Sequence, residues 1–233
     1  MLILAFETSA KAGSVALLEG NKLLGESYQN TGLTHSQTIM TMAEDLLKAC
    51  GKTPQAVEAV AVAAGPGSFT GVRIGVAAAK GFAWGAELPC YGVSTLEAMA
   101  EGLGVYAGIV VCTMDARRNQ VYNAVFRAEG GKLTRLCEDR ASALEELKAE
   151  LLQLEEPIYL VGDGSLLTYN TLQAEVPNLI LPPEHKLHQR AVGVGLVAAT
   201  MAEKGEPGDG NALSPNYLRL SQAERERLAR EQK

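Results

Sequence analysis

The spacing of apolar and polar positions predicts the same order of elements twice: three strands, a helix, a strand and a helix. The first set is predicted at 2–8, 14–18, 23–28, 36–50, 57–64 and 70–86, followed by a strand at 89–93 and a helix at 94–102. The second set is predicted at 108–114, 120–127, 133–137, 142–154, 157–161 and 165–174, followed by a strand at 179–181 and a helix at 191–204. This repetition indicates a structural duplication.

The duplicated order predicts an α/β protein built from two similar lobes. Three strands joined by short turns should be antiparallel, and strands joined through helices should be parallel, which together give a mixed sheet with helices on both faces. We expect an N-terminal lobe of residues 1–104, completed by a C-terminal segment at about 207–233. Residues 105–206 should form the C-terminal lobe.

A glycine-rich run connects the strand at 57–64 to the helix at 70–86. Residues 65–75 read Gly-Pro-Gly-Ser-Phe-Thr-Gly-Val-Arg-Ile-Gly, and Ser68 and Thr70 are both good residues for capping a helix. The free N–H groups of a helix start suit an anion, so Ser68, Thr70 and Arg73 are candidate anion or nucleotide contacts. A tight strand-to-helix turn with close packing explains the same residues, and the sequence favours that alternative once the whole chain is considered.

Two carboxylates end corresponding strands of the two halves. Glu7 ends the first strand of the first half, and Asp115 ends the first strand of the second half. In a duplicated fold these strand ends face each other across a cleft, so Glu7 and Asp115 are added to the candidate nucleotide contacts. An ion pair between Asp115 and Arg117 or Arg118 is the simpler interpretation.

The helices at 36–50 and 70–86 carry more apolar surface than one sheet can cover. Either both helices are fully buried, or they form an interface with another subunit, and the sequence slightly favours the interface. The predicted interface residues are Ile39, Met42, Ala43, Leu46, Gly71, Val72, Gly75, Val76, Ala79 and Phe82.

Composition and charge exclude several classes of function. The formal net charge of −6 argues against a stand-alone nucleic-acid-binding protein. The four cysteines form no C-x-x-C pair, and the chain starts without a basic segment, so we expect a reducing, cytoplasmic location and no membrane span. The charged tail at 221–233 is predicted to be a solvated end, with a contact to a partner or RNA as the alternative.

The sequence predicts no catalytic residues and no metal site. The chain has only three histidines, His35, His185 and His188. None of them has the additional ligands in the nearby sequence that a zinc site requires, or the partner residues of a nucleophile–base pair. We expect no resident cofactor, and a nucleotide at most at an interface with a partner subunit.

Five motifs, taken in order along the chain, resemble the bacterial TsaB (YeaZ) family. They lie at residues 3–9, 65–75, 92–98, 115–122 and 215–219, and the Ser-Phe-Thr-Gly-x-Arg-Ile-Gly continuation within 65–75 is the most specific of them. The resemblance implies the two-lobed actin/Hsp70/sugar-kinase-like (ASKHA, RNase H-like) fold, in agreement with the duplication.

The resemblance also implies a function in the modification of tRNA. In this family's pathway a threonylcarbamoyl group is transferred from threonylcarbamoyl-AMP to N6 of adenosine 37, giving t6A in tRNAs that read ANN codons. The transfer is done by a paralogous subunit, TsaD, with the ATPase TsaE associating, so tRNA would be reached indirectly through the complex. Thr95 and Met99 occupy the positions where the paralogue has metal-binding histidines, which implies a non-catalytic scaffold or activator subunit.

The implied partner interface agrees with the helix faces described above. Relatives pair through their first two long helices, with a like subunit as a homodimer or with TsaD as a heterodimer. The alternative function is an autonomous ATPase of the same fold class, and tight ATP binding by the isolated chain would favour it.

Overall fold

The computed structural model describes residues 1–104 and 107–219 of the chain. Within these residues the strands are β1 (Leu2–Glu7), β2 (Gly13–Glu19), β3 (Lys22–Gln29), β4 (Ala59–Gly65), β5 (Cys90–Ser94), β6 (Gly108–Asp115), β7 (Gln120–Glu129), β8 (Lys132–Arg135), β9 (Arg140–Ala143), β10 (Ile158–Val161) and β11 (Leu179–Ile180). The helices are α1 (His35–Ala49), α2 (Phe69–Gly85), α3 (Thr95–Leu103), α4 (Leu144–Leu151), α5 (Ser165–Leu172) and α6 (Ala191–Glu203). The charged tail at 221–233 lies outside the described residues.

The two halves form two sheets with equivalent strand orders. The first sheet runs β3-β2-β1-β4-β5, and the second runs β8-β7-β6-β10-β11 when it is read in the same direction. In both, the first three strands pair antiparallel and the later strands pair parallel to the central one. The predicted duplication with two mixed sheets is therefore confirmed.

One strand was not predicted from the sequence. β9 precedes α4 and pairs antiparallel with the start of β7. Because Ser142 and Ala143 are extended and pair with β7, α4 begins two residues later than the helix predicted at 142–154, and it ends at Leu151. Arg140 and Ser142 both form hydrogen bonds with the side-chain amide of Asn123 on β7. These side-chain bonds add to the backbone pairing of β9 with β7.

The first sheet is covered on both faces. Leu4, Phe6 and Val62 point toward α1 and α2, and the intervening residues Ile3 and Ala5 point toward α6. Because side chains alternate along a strand, a strand buried on both faces reads as a continuous apolar run, as β1 does.

The last helix packs with the opposite half of the chain from the one predicted. The lobes predicted from the sequence assign residues 191–206 to the C-terminal lobe. In the structure, α6 packs on β1, β2 and β4 of the first sheet. Conversely, α3 places Leu96, Met99 and Ala100 against the second sheet. The predicted boundary is corrected accordingly, since α3 and α6 pack on each other between the two sheets and join the lobes.

The described part of the C-terminal segment returns to the first lobe. The Cys90 amide donates to Gly208 O, and the Asn216 amide donates to Ala64 O at 2.6 Å. Leu213 packs on the core beneath α2, and Lys80 Nζ donates to its carbonyl oxygen. Residues 215–219 consequently lie beside the glycine-rich run. None of the helices described at 1–104 and 107–219 is long and apolar enough to cross a membrane.

Candidate functional site at the cleft between the lobes

The glycine-rich run places the start of α2 directly on the end of β1. A Cβ atom at Gly71 would overlap Thr8 O, and one at Gly75 would overlap Thr8 Oγ1. Thr8 Oγ1 donates to Gly71 O at 2.7 Å, so strand and helix are bonded where they touch. Close packing inside the chain therefore explains Gly71 and Gly75, which the sequence prediction had placed at a subunit interface.

Ser68 caps α2 and bonds through its backbone to the turn that follows β1. Its amide donates to Ser9 O at 2.6 Å, and its Oγ accepts from the Gly71 amide at 3.3 Å. The cap satisfies one of the free N–H groups of the helix start. Ser68 lines the cleft, whereas Thr70 lies exposed on the outer surface of α2.

Arg73 connects α2 to the C-terminal segment. Its guanidinium lies 3.9 Å from the ring centre of Phe69, and its Nε donates to the Tyr217 hydroxyl at 2.7 Å. The rings of Phe69 and Tyr217 stack with their centres 4.6 Å apart. The sequence left the contacts of Arg73 open, because they depend on a residue 144 positions away.

The cleft between the lobes has a volume of about 440 Å³. It is lined by the turn after β1, the start of α2, the turn after β6 and the C-terminal segment. Asp115 and Asp163 provide negative charge, and Lys11, Arg117 and Arg219 provide positive charge. The predicted candidates Ser68 and Asp115 thus meet at this cleft, while Arg73 and Thr70 lie outside it.

Asp115 is held by the turn that follows it. Its carboxylate accepts from the Arg117 amide at 2.7 Å and lies 3.4 Å from the Arg117 guanidinium. The predicted pairing of Asp115 with Arg117 is therefore confirmed. Arg117, Arg118 and Asn119 all have positive φ angles of 56–66°, a run that the sequence did not reveal, since none of them is glycine.

Asp163 is a cleft residue that was not predicted as a site. It follows β10 and lies between two glycines, and its Oδ1 accepts from Gln189 Nε2 at 3.1 Å. Although part of the residue stays exposed, limited solvation and the charge of Asp115 raise the pKa of its carboxyl. The sequence did contain a signal for this residue: Asp163 follows β10, the strand of the second half that is equivalent to β4, and β4 is followed by the glycine-rich run.

Glu7 lies fully buried beneath the cleft. Its Oε1 accepts from the Ser9 amide, and its Oε2 has no hydrogen-bond partner among the described residues. Burial raises the pKa of the Glu7 carboxyl to about 7, although the bonds to Ser9 act in the opposite direction. Glu7 was predicted as an anion or nucleotide contact, but its side chain is buried and does not line the cleft.

Replacing Glu7 by glutamine should stabilise the protein in a pH-dependent way. A buried acid with a raised folded-state pKa contributes stability at low pH and loses it as pH rises through that pKa. As the pH rises from 4.5 to 7, the free energy of unfolding of the native chain should fall by up to about 3 kcal/mol. The Glu7→Gln variant should not show this fall, because glutamine does not ionise.

Denaturant unfolding at about pH 5 and about pH 8.5 measures this difference. Glu7→Gln should be clearly more stable than the native chain only at the higher pH. Glu19→Gln, at an exposed position on the end of β2, is the matched control. An equal effect of Glu7→Gln at both pH values would contradict the argument.

The predicted interface residues are core residues. Nine of the ten are buried within the chain, on the sides of α1 and α2 that face each other and the first sheet, and Phe82 is partly buried. The prediction is corrected for these side chains, because the first sheet and the paired helices already cover them. The large apolar side chains that are exposed on the two helices are Met40, 45% exposed, and Trp84, 85% exposed.

A surface groove lies between α1 and α2 beside Met40, whereas Trp84 lines a different groove, against residues 208–211. The groove beside Met40 has a volume of about 430 Å³ and includes Met40, Leu47, Pro54 and Phe82 in its lining. Along the outer side of α2, Ala77, Gly81 and Trp84 form a stripe of exposed residues. We call Met40, Ala77, Gly81, Phe82 and Trp84 the α1–α2 face, which extends over two sides of α2 because Phe82 and Trp84 are two helix positions apart.

Comparison with known proteins gives a consistent result. Residues 29–226 match the family model described as TsaD, tRNA N6-adenosine threonylcarbamoyltransferase. The chain is 30% identical to the tRNA threonylcarbamoyladenosine biosynthesis protein TsaB of Bacillus subtilis, over 96% of both chains. It is 38% identical to the Escherichia coli TsaB over 70% of this chain and 72% of that one.

A solved structure from Pseudomonas aeruginosa shares the fold. This protein, described as similar to the peptidase YeaZ, superposes with a TM-score of 0.76 at 26% identity, covering 94% of this chain and 99% of that chain. The two-lobed fold class predicted from the sequence is confirmed.

Proposed function

The chain belongs to the TsaB family, and we propose that it acts in forming threonylcarbamoyladenosine in tRNA as a non-catalytic subunit beside a TsaD-type transferase. In this proposal it binds and stabilises the transferase, which moves the threonylcarbamoyl group onto N6 of adenosine 37. A TsaE-type ATPase joins the complex, and the site of action is the cytoplasm.

The α1–α2 face is the observation that carries the scaffold role. Trp84 exposes 85% of its surface, and Met40 borders a groove that already contains Phe82. Small residues next to an exposed aromatic side chain allow a second helix pair to approach closely and bury the ring. The proposed partner is the TsaD-type subunit, and a second copy of the chain occupies the same face when that subunit is absent.

The positions implied to bind metal in the transferase support a non-catalytic role. Thr95 is fully buried at the start of α3, and Met99 is 3% exposed in the core between α3 and the second sheet. The Met99 sulfur lies 3.0 Å from where a Cβ on Gly162 would sit, so this methionine is fitted closely to the second lobe. In this chain, Thr95 and Met99 are buried in the packing of α3 between the two lobes.

Reconstitution of the modification tests the proposal. The chain, the TsaD-type subunit and the TsaE-type ATPase are assayed for threonylcarbamoyl transfer to tRNA, each alone and combined. Transfer should be absent with the chain alone, weak with the transferase alone and strong with all three. Strong transfer by the chain alone, or transfer that does not depend on the chain, would overturn it; tight ATP binding by the isolated chain would instead favour the autonomous ATPase.

A further inference from the structure

Five cationic side chains lie in the cleft or beside it. Lys11, Arg117 and Arg219 line the cleft, Arg118 follows Arg117 in the same exposed turn, and Arg73 lies next to the cleft residues Phe69 and Tyr217. We call these five residues the cationic rim. Among the residues that the structure describes, the carboxylates that line the same cleft are Asp115 and Asp163, so cations outnumber carboxylates there on a chain whose formal net charge is −6.

Two of the five rim cations, Arg73 and Arg219, are held in place by contacts within the chain. Arg73 is fixed over Phe69 and bonded to Tyr217, and Arg219 donates to Ala116 O at 2.8 Å. Arg219 therefore ties the C-terminal segment to the turn that presents Arg117. Cations fixed before binding lose less side-chain entropy when an anion binds, so this arrangement favours recognition.

The turn at 117–119 presents its arginines in an uncommon backbone conformation. Three consecutive residues other than glycine have positive φ, which is costly for side chains that have a Cβ atom. The Arg117 side chain is 87% exposed, and its ion pair with Asp115 is formed through one nitrogen at 3.4 Å. Most of its donor groups are thus free to bind an external acceptor.

We propose that the cationic rim binds the phosphate backbone of the substrate tRNA while the chain is assembled with its transferase. The cations come from four separate places, namely the β1–β2 turn, the outer side of α2, the β6–β7 turn and the C-terminal segment. A polyanion with regularly spaced charges reaches all four, whereas an anion confined to the cleft leaves out Arg73, which is not among the residues that line it. The exposed ring of Tyr217, stacked on Phe69, adds a surface on which an unpaired base stacks.

This inference rests on the proposed function, because it takes the RNA to be the substrate of the same complex. It changes one expectation from the sequence, which had the tRNA reached only indirectly. The acidic net charge still argues against strong binding by the isolated chain, so the rim adds affinity to an RNA that the transferase also holds.

The test compares two double variants in the assembled complex. Arg117→Gln with Arg118→Gln removes two rim charges, and Lys22→Gln with Lys132→Gln removes two charges from the exposed first residues of β3 and β8. Fluorescence anisotropy measures the affinity for a labelled tRNA transcript at about 50 mM and about 200 mM salt. The rim variant should weaken binding at least about fivefold at the lower salt and reduce the salt-dependence slope by about 1.4–1.8.

The controls separate this inference from its premise. The lysine variant should change the affinity less than about twofold, and Lys11→Gln, a second rim variant at an exposed turn, should weaken binding in the same direction as the arginine variant. Equal affinities for the rim and control variants would overturn the inference, as would displacement of the tRNA by AMP or ATP. Unchanged affinity alongside chain-dependent transfer refutes the rim alone, whereas transfer that is independent of the chain refutes the proposed function.

Discussion

Replacing Gly193 by alanine should destabilise the protein by about 3 kcal/mol, a large part of the stability of a typical domain. A Cβ atom at this position would overlap the Ala98 carbonyl oxygen of α3, and a backbone atom cannot turn aside as a flexible side chain would. The two helices would have to separate. Because α3 and α6 lie between the sheets, separating them disturbs both lobes at once.

Gly102→Ala is the matched control, at the same crossing but on the other helix. A Cβ atom there would lie 3.7 Å from Gly193, which is ordinary van der Waals contact. Alanine also has a higher helix propensity than glycine by about 1 kcal/mol, so this variant should be neutral or slightly stabilised. Urea denaturation followed by circular dichroism gives both free energies of unfolding; equal values for the two variants would contradict the close-crossing argument.

The crossing of α3 and α6 also shows where sequence reasoning reaches its limit. The apolar periodicity of α6 predicts a buried helix, and that is correct, with its bounds close to those observed. Periodicity does not specify which sheet an all-apolar helix covers, because every side of it is suitable for burial. The chain order suggested the second lobe, whereas the helix packs on the first.

The same limit explains the errors at the candidate site. An apolar face on α1 or α2 is visible in the sequence, but only the structure separates Ile39 and Val76, which the chain itself buries, from Met40 and Trp84, which it leaves exposed. The glycines at 71 and 75 were noticed as sites of close approach, while their true neighbour, Thr8, is 63 positions away in the case of Gly71. The contact of Arg73 with Tyr217 was beyond prediction for the same reason.

The double variant Met40→Glu with Trp84→Glu should weaken pairing with the TsaD-type subunit by about 100-fold or more. A tryptophan that is 85% exposed in the isolated chain contributes little to its folding, but it offers a large apolar surface to a partner. Two carboxylates on the α1–α2 face would be buried without a counter-charge in the complex, which costs more than the loss of the apolar contact alone. The free energy of unfolding of the isolated chain should therefore change little.

The matched control carries the same changes in the second lobe. Leu152 and Leu166 are 48% and 53% exposed, so Leu152→Glu with Leu166→Glu adds equal charge and removes exposed apolar side chains away from the α1–α2 face. Isothermal titration calorimetry with the TsaD-type subunit compares the affinities, and sedimentation velocity detects self-association of the chain. Full-strength pairing by the Met40 and Trp84 variant, or an equal loss in the control, would place the interface elsewhere on the protein. Loss in the first variant alone would also explain why a chain with a well-filled core keeps an indole ring in water: the ring is covered only when the transferase is bound.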